Sequence, residues 1–500
     1  MELDFSSQAH YLLALLPEVA LSVWGMIVLV AGVWRNEDEG RSTDLGVLAL
    51  VGILIAAGAN GWLYGVIQTG GSGMVVVDRY RLFANWIFLL AGALSILISL
   101  AYVTRQRLQS GEFYALMLFA VVGMMIMGGT HDLIMVFLGL EIMSISVYAL
   151  AAMNRRDRKS AEAGLKYFLL GAFSTGFLLY GIALLYGATG STNIGLISRA
   201  VLEGATAGPL LVFGVALLAV GFGFKVAAVP FHMWTPDVYE GSPAPVTAFM
   251  ATGVKAAAFV AFLRIFMVAF DAIYDTWYPI LWWLAAITMV VANLIALVQG
   301  NVKRMLAYSS IAHGGYLLVA LVAANETASA AMLFYLLVYT LMNVGAFAIV
   351  ISVAHQGEDR LQVEDYAGFG WQQPLLGVFL TIFLLSLAGF PGTGGFMGKI
   401  FLLQGAAHSK LWTLALVLVM STLISYWYYL RVAWFMWMKD APSPEAHSAV
   451  VAPFLMRVAL VIAVGLVLFL GIFPGTLLEV VQESVDPLFN VGGFLMGMAP

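Results

Sequence analysis

The sequence predicts an all-α integral membrane protein of about fourteen transmembrane helices, and three observations predict it. Of its 500 residues, 62% are hydrophobic and only 10% are charged, whereas a soluble chain needs about a quarter of its residues charged to cover its surface. Windows of roughly 20 apolar residues, the length that crosses a hydrocarbon core of about 30 Å, recur throughout the chain. The connections between them are too short to hold a catalytic domain, so any chemistry belongs inside the membrane.

In chain order the spans are expected at residues 11–34, 44–67, 82–104, 114–130, 132–153, 165–189, 209–236, 244–270, 277–299, 305–323, 328–354, 374–404, 411–438 and 452–474. The first reads as a retained helix, because Met1 to Asp4 is acidic and the apolar run that follows is long for a signal peptide. Twelve Lys and Arg residues fall in connections after odd-numbered spans: Arg35, Arg41, Arg105, Arg107, Arg155, Arg156, Arg158, Lys159, Lys303, Arg304, Arg360 and Lys439. After even-numbered spans there are four: Arg79, Arg81, Arg199 and Lys410. Cations stay on the cytoplasmic side because translocating them is disfavoured, so both termini are expected outside, as an even number of spans requires.

The composition also excludes chemistries. With no cysteine, thiolate-bound iron–sulfur clusters, c-type haem attachment and disulfides are impossible within the chain. The histidines, His10, His131, His232, His313, His355, His408 and His447, show no metal-site spacing, and no nucleotide-binding glycine motif is present. No cofactor, metal or nucleic acid is expected on this chain. The Met-rich run Met124 to Met127 is expected to pack between helices.

Two spans are punctuated at mid-membrane. Span seven contains Gly221-Phe-Gly-Phe-Lys225-Val-Ala-Ala-Val-Pro230, and span twelve contains Gly389-Phe-Pro391-Gly-Thr-Gly-Gly395-Phe-Met-Gly398-Lys399. Proline removes a backbone donor and clashes with the preceding turn, so both helices should break. At that depth freed backbone groups are tolerated only against protein or a wet cavity. The interrupted spans are five helices apart, and an odd-numbered unit repeated in tandem enters the membrane from the opposite face. The expectation is three N-terminal helices over 1–113, a five-helix unit over 114–274 broken near Pro230, an inverted copy over 275–440 broken near Pro391, and a final helix in 441–500.

Four charges lie where burial is expensive. Glu141 is nine residues past Asp132, about 13 Å into the membrane at 1.5 Å per residue. Lys225 sits beside the first break, Lys255 is about eleven residues into span eight, and Lys399 follows the second break; each costs a few kcal/mol at a helix centre. Desolvation weakens a buried lysine's hold on its proton and a nearby carboxylate strengthens it, so these four residues suit a proton relay. Glu141 and Lys225 form the natural acid–base pair. His313 and, less directly, His232 can pass protons, since imidazole titrates near neutrality. Arg264, Arg431, Arg457 and Lys166, nearer span ends, fit structural pairing or snorkelling, and Asp132, Asp237 and Glu240 fit helix capping.

The stretch Lys225-Val-Ala-Ala-Val-Pro-Phe-His-Met-Trp-Thr-Pro-Asp237-Val-Tyr-Glu-Gly-Ser-Pro-Ala-Pro-Val-Thr-Ala-Phe-Met250, with Lys255 beyond it, closely resembles the signature of the antiporter-like subunits of respiratory complex I. The resemblance runs from span four to span thirteen. Carried over, the family's helix-five glutamate falls on Glu141 and its helix-seven, helix-eight and helix-twelve lysines on Lys225, Lys255 and Lys399. Among the sister branches, M carries a glutamate where this chain has Lys399, and L has a lateral helix for which the tail after span fourteen leaves no room. The N branch is the better match.

The resemblance implies that a peripheral arm, using NADH, FMN, iron–sulfur clusters and quinone in other subunits, supplies the energy, while this chain translocates protons. Implied partners are subunit M, the small subunits K and J, and the lipid of a bacterial inner membrane. One alternative is a related multisubunit cation/proton antiporter, although selective metal-cation binding would want converging oxygen ligands, not a lysine row. Another is a non-pumping structural subunit.

Overall fold

Long apolar runs become helices because, without water, a segment's N–H and C=O groups can be satisfied only within itself. The computed structural model describes residues 2–4, 8–34, 41–69, 73–204, 208–353, 361–443, 447 and 452–489; Arg35, Arg360 and His355 lie outside them. Among the described residues, 12 uninterrupted helices are long and apolar enough to cross a membrane. They are Leu16–Trp34, Thr43–Leu63, Arg79–Arg105, Ser110–Gly128, Leu133–Ala151, Arg158–Thr189, Ala244–Ala269, Asp271–Leu297, Val302–Ala323, Glu326–Val353, Trp412–Met438 and Phe454–Ile472. The two remaining expected spans are the interrupted ones. Span seven is Pro209–Lys225 followed by Thr235–Gly241, and span twelve is Pro374–Ala388 followed by Gly394–His408.

Several boundaries move outward from those expected because a polar side chain caps the helix. Span three starts at Arg79, where Asp78 accepts from the Arg81 N–H, and span six at Arg158, where Asp157 accepts from the Lys159 N–H. Asp132 caps span five as expected, accepting from the N–H groups of Ile134 and Met135. Span eight carries one irregularity that no sequence pattern announced, a π-helical turn at Met250–Val254 immediately before Lys255.

Spans eight, ten and eleven are enclosed on nearly every side, while spans one, six and thirteen turn most of their surface outward. Spans nine and ten pack side by side, as do spans four and five, six and the first half of seven, and eleven and the second half of twelve. Met124, Met125 and Met127 are fully buried in this packing. After span fourteen a helix at Gly475–Phe489 lies against spans three and eleven. It buries Val481, Val485 and Leu488, leaves Glu479, Glu483 and Asp486 exposed, and Glu483 pairs with Arg79 at 2.5 Å. Near the N-terminus, Glu2–Asp4 pairs in parallel with Ile67–Thr69.

Candidate functional site

The first half of span seven stops at Lys225 for a local reason. A continuing helix would return the N–H of residue 230 to the Val226 carbonyl, and Pro230 has none. Ala227 takes a left-handed φ of 60°, the Ala228 N–H turns back to the Gly223 carbonyl at 2.7 Å, and the Val229 N–H donates sideways to Thr288 Oγ1 at 2.9 Å. Lys225 is thereby the last helical residue, buried against span five. Its Nζ donates to Ser144 Oγ at 2.7 Å and Tyr148 OH at 3.0 Å, and lies 5.2 Å from the Tyr148 ring centre.

Glu141 precedes Ser144 by one helical turn on the same span. Among the described residues no ion pair joins Glu141 to Lys225, because Ser144 and Tyr148 lie nearer the ammonium. The Oε1 of Glu141 is enclosed without a hydrogen-bond partner. Glu141, Ser144 and Tyr148 nonetheless share one face, at i, i+3 and i+7.

Lys255 directly follows the π-helical turn of span eight, and such turns re-aim the side chains after them. Its buried Nζ donates to the carbonyl and Oγ of Ser310 in span ten, at 2.6 and 2.7 Å. The neighbouring Ser309 hydroxyl bonds Tyr429 OH of span thirteen. Tyr429 OH lies 3.1 Å from His313 Nε2, and His313 Nδ1 lies 2.6 Å from Tyr335 OH of span eleven. One turn on, the Tyr316 ring faces Lys399 Nζ at 5.0 Å. Lys399 folds back from the second half of span twelve onto the last carbonyls of the first half, Leu387 at 3.0 Å and Ala388 at 2.9 Å.

The structure therefore places Lys255, His313 and Lys399 along one buried row: Ser310 bonds Lys255, the adjacent Ser309 leads through Tyr429 to His313 and Tyr335, and the Tyr316 ring faces Lys399, while Lys225 is bonded separately to Ser144 and Tyr148 of the Glu141 helix. His232 lies in the span-seven break, only partly buried; among the described residues no hydrogen bond ties it to the row. The sequence reading missed the hydroxyls. Their signal was helical spacing: Ser144 and Tyr148 follow Glu141 by three and seven residues, and Ser309, Ser310 and Tyr316 flank His313 at four, three and three.

Several charges outside the row pair with one another. Arg264 is buried as a residue of span eight, not snorkelling: its guanidinium grips Asp78 at 2.7 and 2.9 Å and contacts His131 Nε2 at 2.8 Å. Burial raises the Asp78 carboxyl's proton affinity, but Arg264 outweighs it and holds the group below the usual carboxylate range. Burial first, and Arg264 second, push His131 down to about 3. Arg81 pairs with Glu18 at 2.7 Å, both buried. Asp237 and Glu240 are held by cations instead of acting as caps: Lys166 reaches Asp237 at 2.7 Å, Arg304 reaches both at 2.9 and 3.0 Å, and Lys159 reaches Glu240 at 3.0 Å. Among the described residues no three His, Asp or Glu side chains converge as a metal site would require.

Broken spans five helices apart and a charged interior define a polytopic membrane protein of the antiporter type. Residues 130–425 match the family described as NADH:quinone oxidoreductase/Mrp antiporter, transmembrane, and the chain belongs to that family. It is 47% identical over 473 residues to NADH-quinone oxidoreductase subunit N of Trichlorobacter lovleyi, covering 94% of this chain and 96% of that one. A chain of respiratory complex I from Thermus thermophilus with bound aureothin is similar at 36% identity and a TM-score of 0.80, covering 94% of this chain and 100% of that chain. A chain of the Mrp complex from Dietzia sp. DQ12-45-1b shares the fold at 20% identity, with a TM-score of 0.84 and coverage of 98% and 99%.

Proposed function

We propose that this chain is the N-type membrane-arm subunit of a proton-translocating NADH:quinone oxidoreductase and that Glu141, Lys225, Lys255, His313 and Lys399 carry its protons. One observation supports this reading above the others: between the buried Lys255 and Lys399 lie hydroxyl and imidazole groups of spans ten, eleven and thirteen that can both donate and accept, Ser310 bonding Lys255 and the Tyr316 ring facing Lys399. Redox chemistry takes place in other subunits and reaches this chain as an electrostatic change near Glu141. That change alters how firmly Lys225 holds its proton, and Lys255 and His313 exchange protons between Lys225 and Lys399. His232, at the break, plays the lesser part.

In this reading residues 114–274 and 275–440 are inverted five-helix units, both termini face the periplasm of a bacterial inner membrane, and subunits M, K and J are the neighbours. The test is Glu141→Gln and Lys225→Ala in the assembled complex reconstituted into vesicles. The protons moved per electron should fall in both variants, with the complex still intact. An undiminished ratio would overturn the relay.

A further inference from the structure

Lys225 has aromatic rings around it as well as hydroxyls. Its Nζ lies 5.2 Å from the ring centre of Tyr148 in span five, 5.9 Å from that of Tyr167 in span six and 5.9 Å from that of Phe224 on its own span, all within the reach of about 6 Å at which a ring face attracts a cation. The other two lysines are housed differently: among the described residues Lys399 has one such ring, Tyr316, and Lys255 has none. The rings at Lys225 also fix one another. Tyr148 and Tyr167 meet edge to face, with centres 4.7 Å apart and planes at 80°. Trp234 stacks on Tyr167 at 4.4 Å and 8° and on Phe224 at 5.3 Å and 29°, and its Nε1 donates to the Phe224 carbonyl at 3.2 Å. Tyr167 and Trp234 are both buried, and Lys166, beside Tyr167, pairs with Asp237 at 2.7 Å. Packing alone would bring the rings together but would not set three of them around a charge, because an ammonium is expensive to place in an apolar cluster. Electron-rich ring faces offset that expense.

We propose that Tyr148, Tyr167 and Phe224 form an aromatic cage for the Lys225 ammonium, and that Tyr167, which the relay does not otherwise use, is a positioning residue whose ring face holds that charge in place. A ring face attracts an ammonium through its quadrupole and does little for a neutral amine. The cage therefore distinguishes the two states of the lysine, which a hydroxyl, able to accept and to donate, does less sharply. Its walls come from three spans, and Trp234, stacked on two of them, links the cage to the segment Thr235–Gly241 that it precedes. This inference rests on the proton-relay reading and deepens it.

The test uses the holocomplex in vesicles, with Tyr167→Phe, Tyr167→Leu, progressively fluorinated phenylalanines at position 167, and Lys225→Ala measured together. Phenylalanine keeps the ring, so Tyr167→Phe should pump at close to the wild-type rate. Leucine is apolar but has no ring face, so Tyr167→Leu should lower the proton flux about tenfold, the order of one desolvated cation–π contact. Fluorine draws electron density from the ring face while hardly changing its size, so flux should fall stepwise as fluorines are added, down to the leucine level; a purely packing role would leave the series flat. Normal flux in Tyr167→Leu, a flat fluorine series, or a Tyr167→Phe as impaired as the leucine variant overturns the inference. If Lys225→Ala also pumps normally, the relay reading itself has failed; if Lys225→Ala is impaired while the fluorine series is flat, only this inference has failed. Should Tyr167→Leu fail to assemble, the fluorine series decides on its own, since it keeps the shape of the ring.

Discussion

At the break in span seven the buried lysine is the last residue before the interruption, and its ammonium is held by two hydroxyls of another helix, Ser144 and Tyr148. At the break in span twelve the lysine comes after the interruption and is held by two backbone carbonyls of its own span, Leu387 and Ala388. The difference is chemical. A carbonyl only accepts, so Lys399 Nζ acts purely as a donor there. A hydroxyl can both accept and donate, and the Ser144 hydroxyl does both, accepting from Lys225 and donating to the Leu140 carbonyl. The breaks also differ in what satisfies their backbone. In span twelve Gly389 takes a φ of 88°, its carbonyl accepts from Tyr426 OH at 2.8 Å, and the Gly395 N–H donates to Ser386 Oγ at 3.1 Å. In span seven the Val226 carbonyl accepts no hydrogen bond among the described residues. Two breaks of similar sequence thus hold their lysines through different partners, hydroxyls of a neighbouring helix at one and backbone carbonyls of the same span at the other.

The largest effect should come from removing the hydroxyls at the first break. Ser144→Ala combined with Tyr148→Phe leaves Lys225 in place but strips both partners, and proton flux through the chain should fall about 100-fold, the low end of the range for groups that take part in proton transfer. Vesicle pumping assays check this, and unchanged flux would remove the contrast between the two breaks. Next is Gly389→Ala, which forces a side chain into the left-handed region at a cost of about 1–2 kcal/mol. Its Cβ would also stand 3.2 Å from Lys399 Nζ. Thermal unfolding of the purified complex should show the loss, and a wild-type transition would mean that the second break yields as readily as the first.

The smallest effect lies outside both breaks and serves as their control. His131 has its pKa lowered to about 3 in the folded protein, against about 6.5 when unfolded. As the pH falls between those values the unfolded chain binds a proton that the folded one refuses, so stability drops with acid by at most about 1.4 kcal/mol per pH unit. His131→Gln should flatten that slope near pH 5–6, measured as the unfolding midpoint against pH, with pumping at neutral pH unaffected. The same slope in the variant would show that other groups set the acid sensitivity.

The lysines could be found in the sequence because burying a charge is so costly that Lys225, Lys255 and Lys399 stand out wherever the apolar runs are drawn. Their partners could not be found the same way. Ser144, Ser310, Tyr335 and Tyr429 are ordinary helix residues, and hydroxyls in membrane helices often bond only their own backbone, as Thr252 does with the Ala248 carbonyl. Opposite charge named Glu141 and Lys225 as the natural acid–base pair without showing whether they touch, and in the structure two hydroxyls on the Glu141 helix hold the ammonium.

The sequence by itself determined the membrane class, the order of the spans and the two interruptions, because each follows from local rules: apolar length, and a proline that removes a donor. Only the tertiary structure decided which groups meet. The Arg264–Asp78 pair joins residues 186 positions apart and the Ser309–Tyr429 contact joins residues 120 apart, and spacing along one helix carries no information about which helix lies opposite. The π-helical turn before Lys255 packs against spans three, four and eleven, neighbours that the sequence does not name.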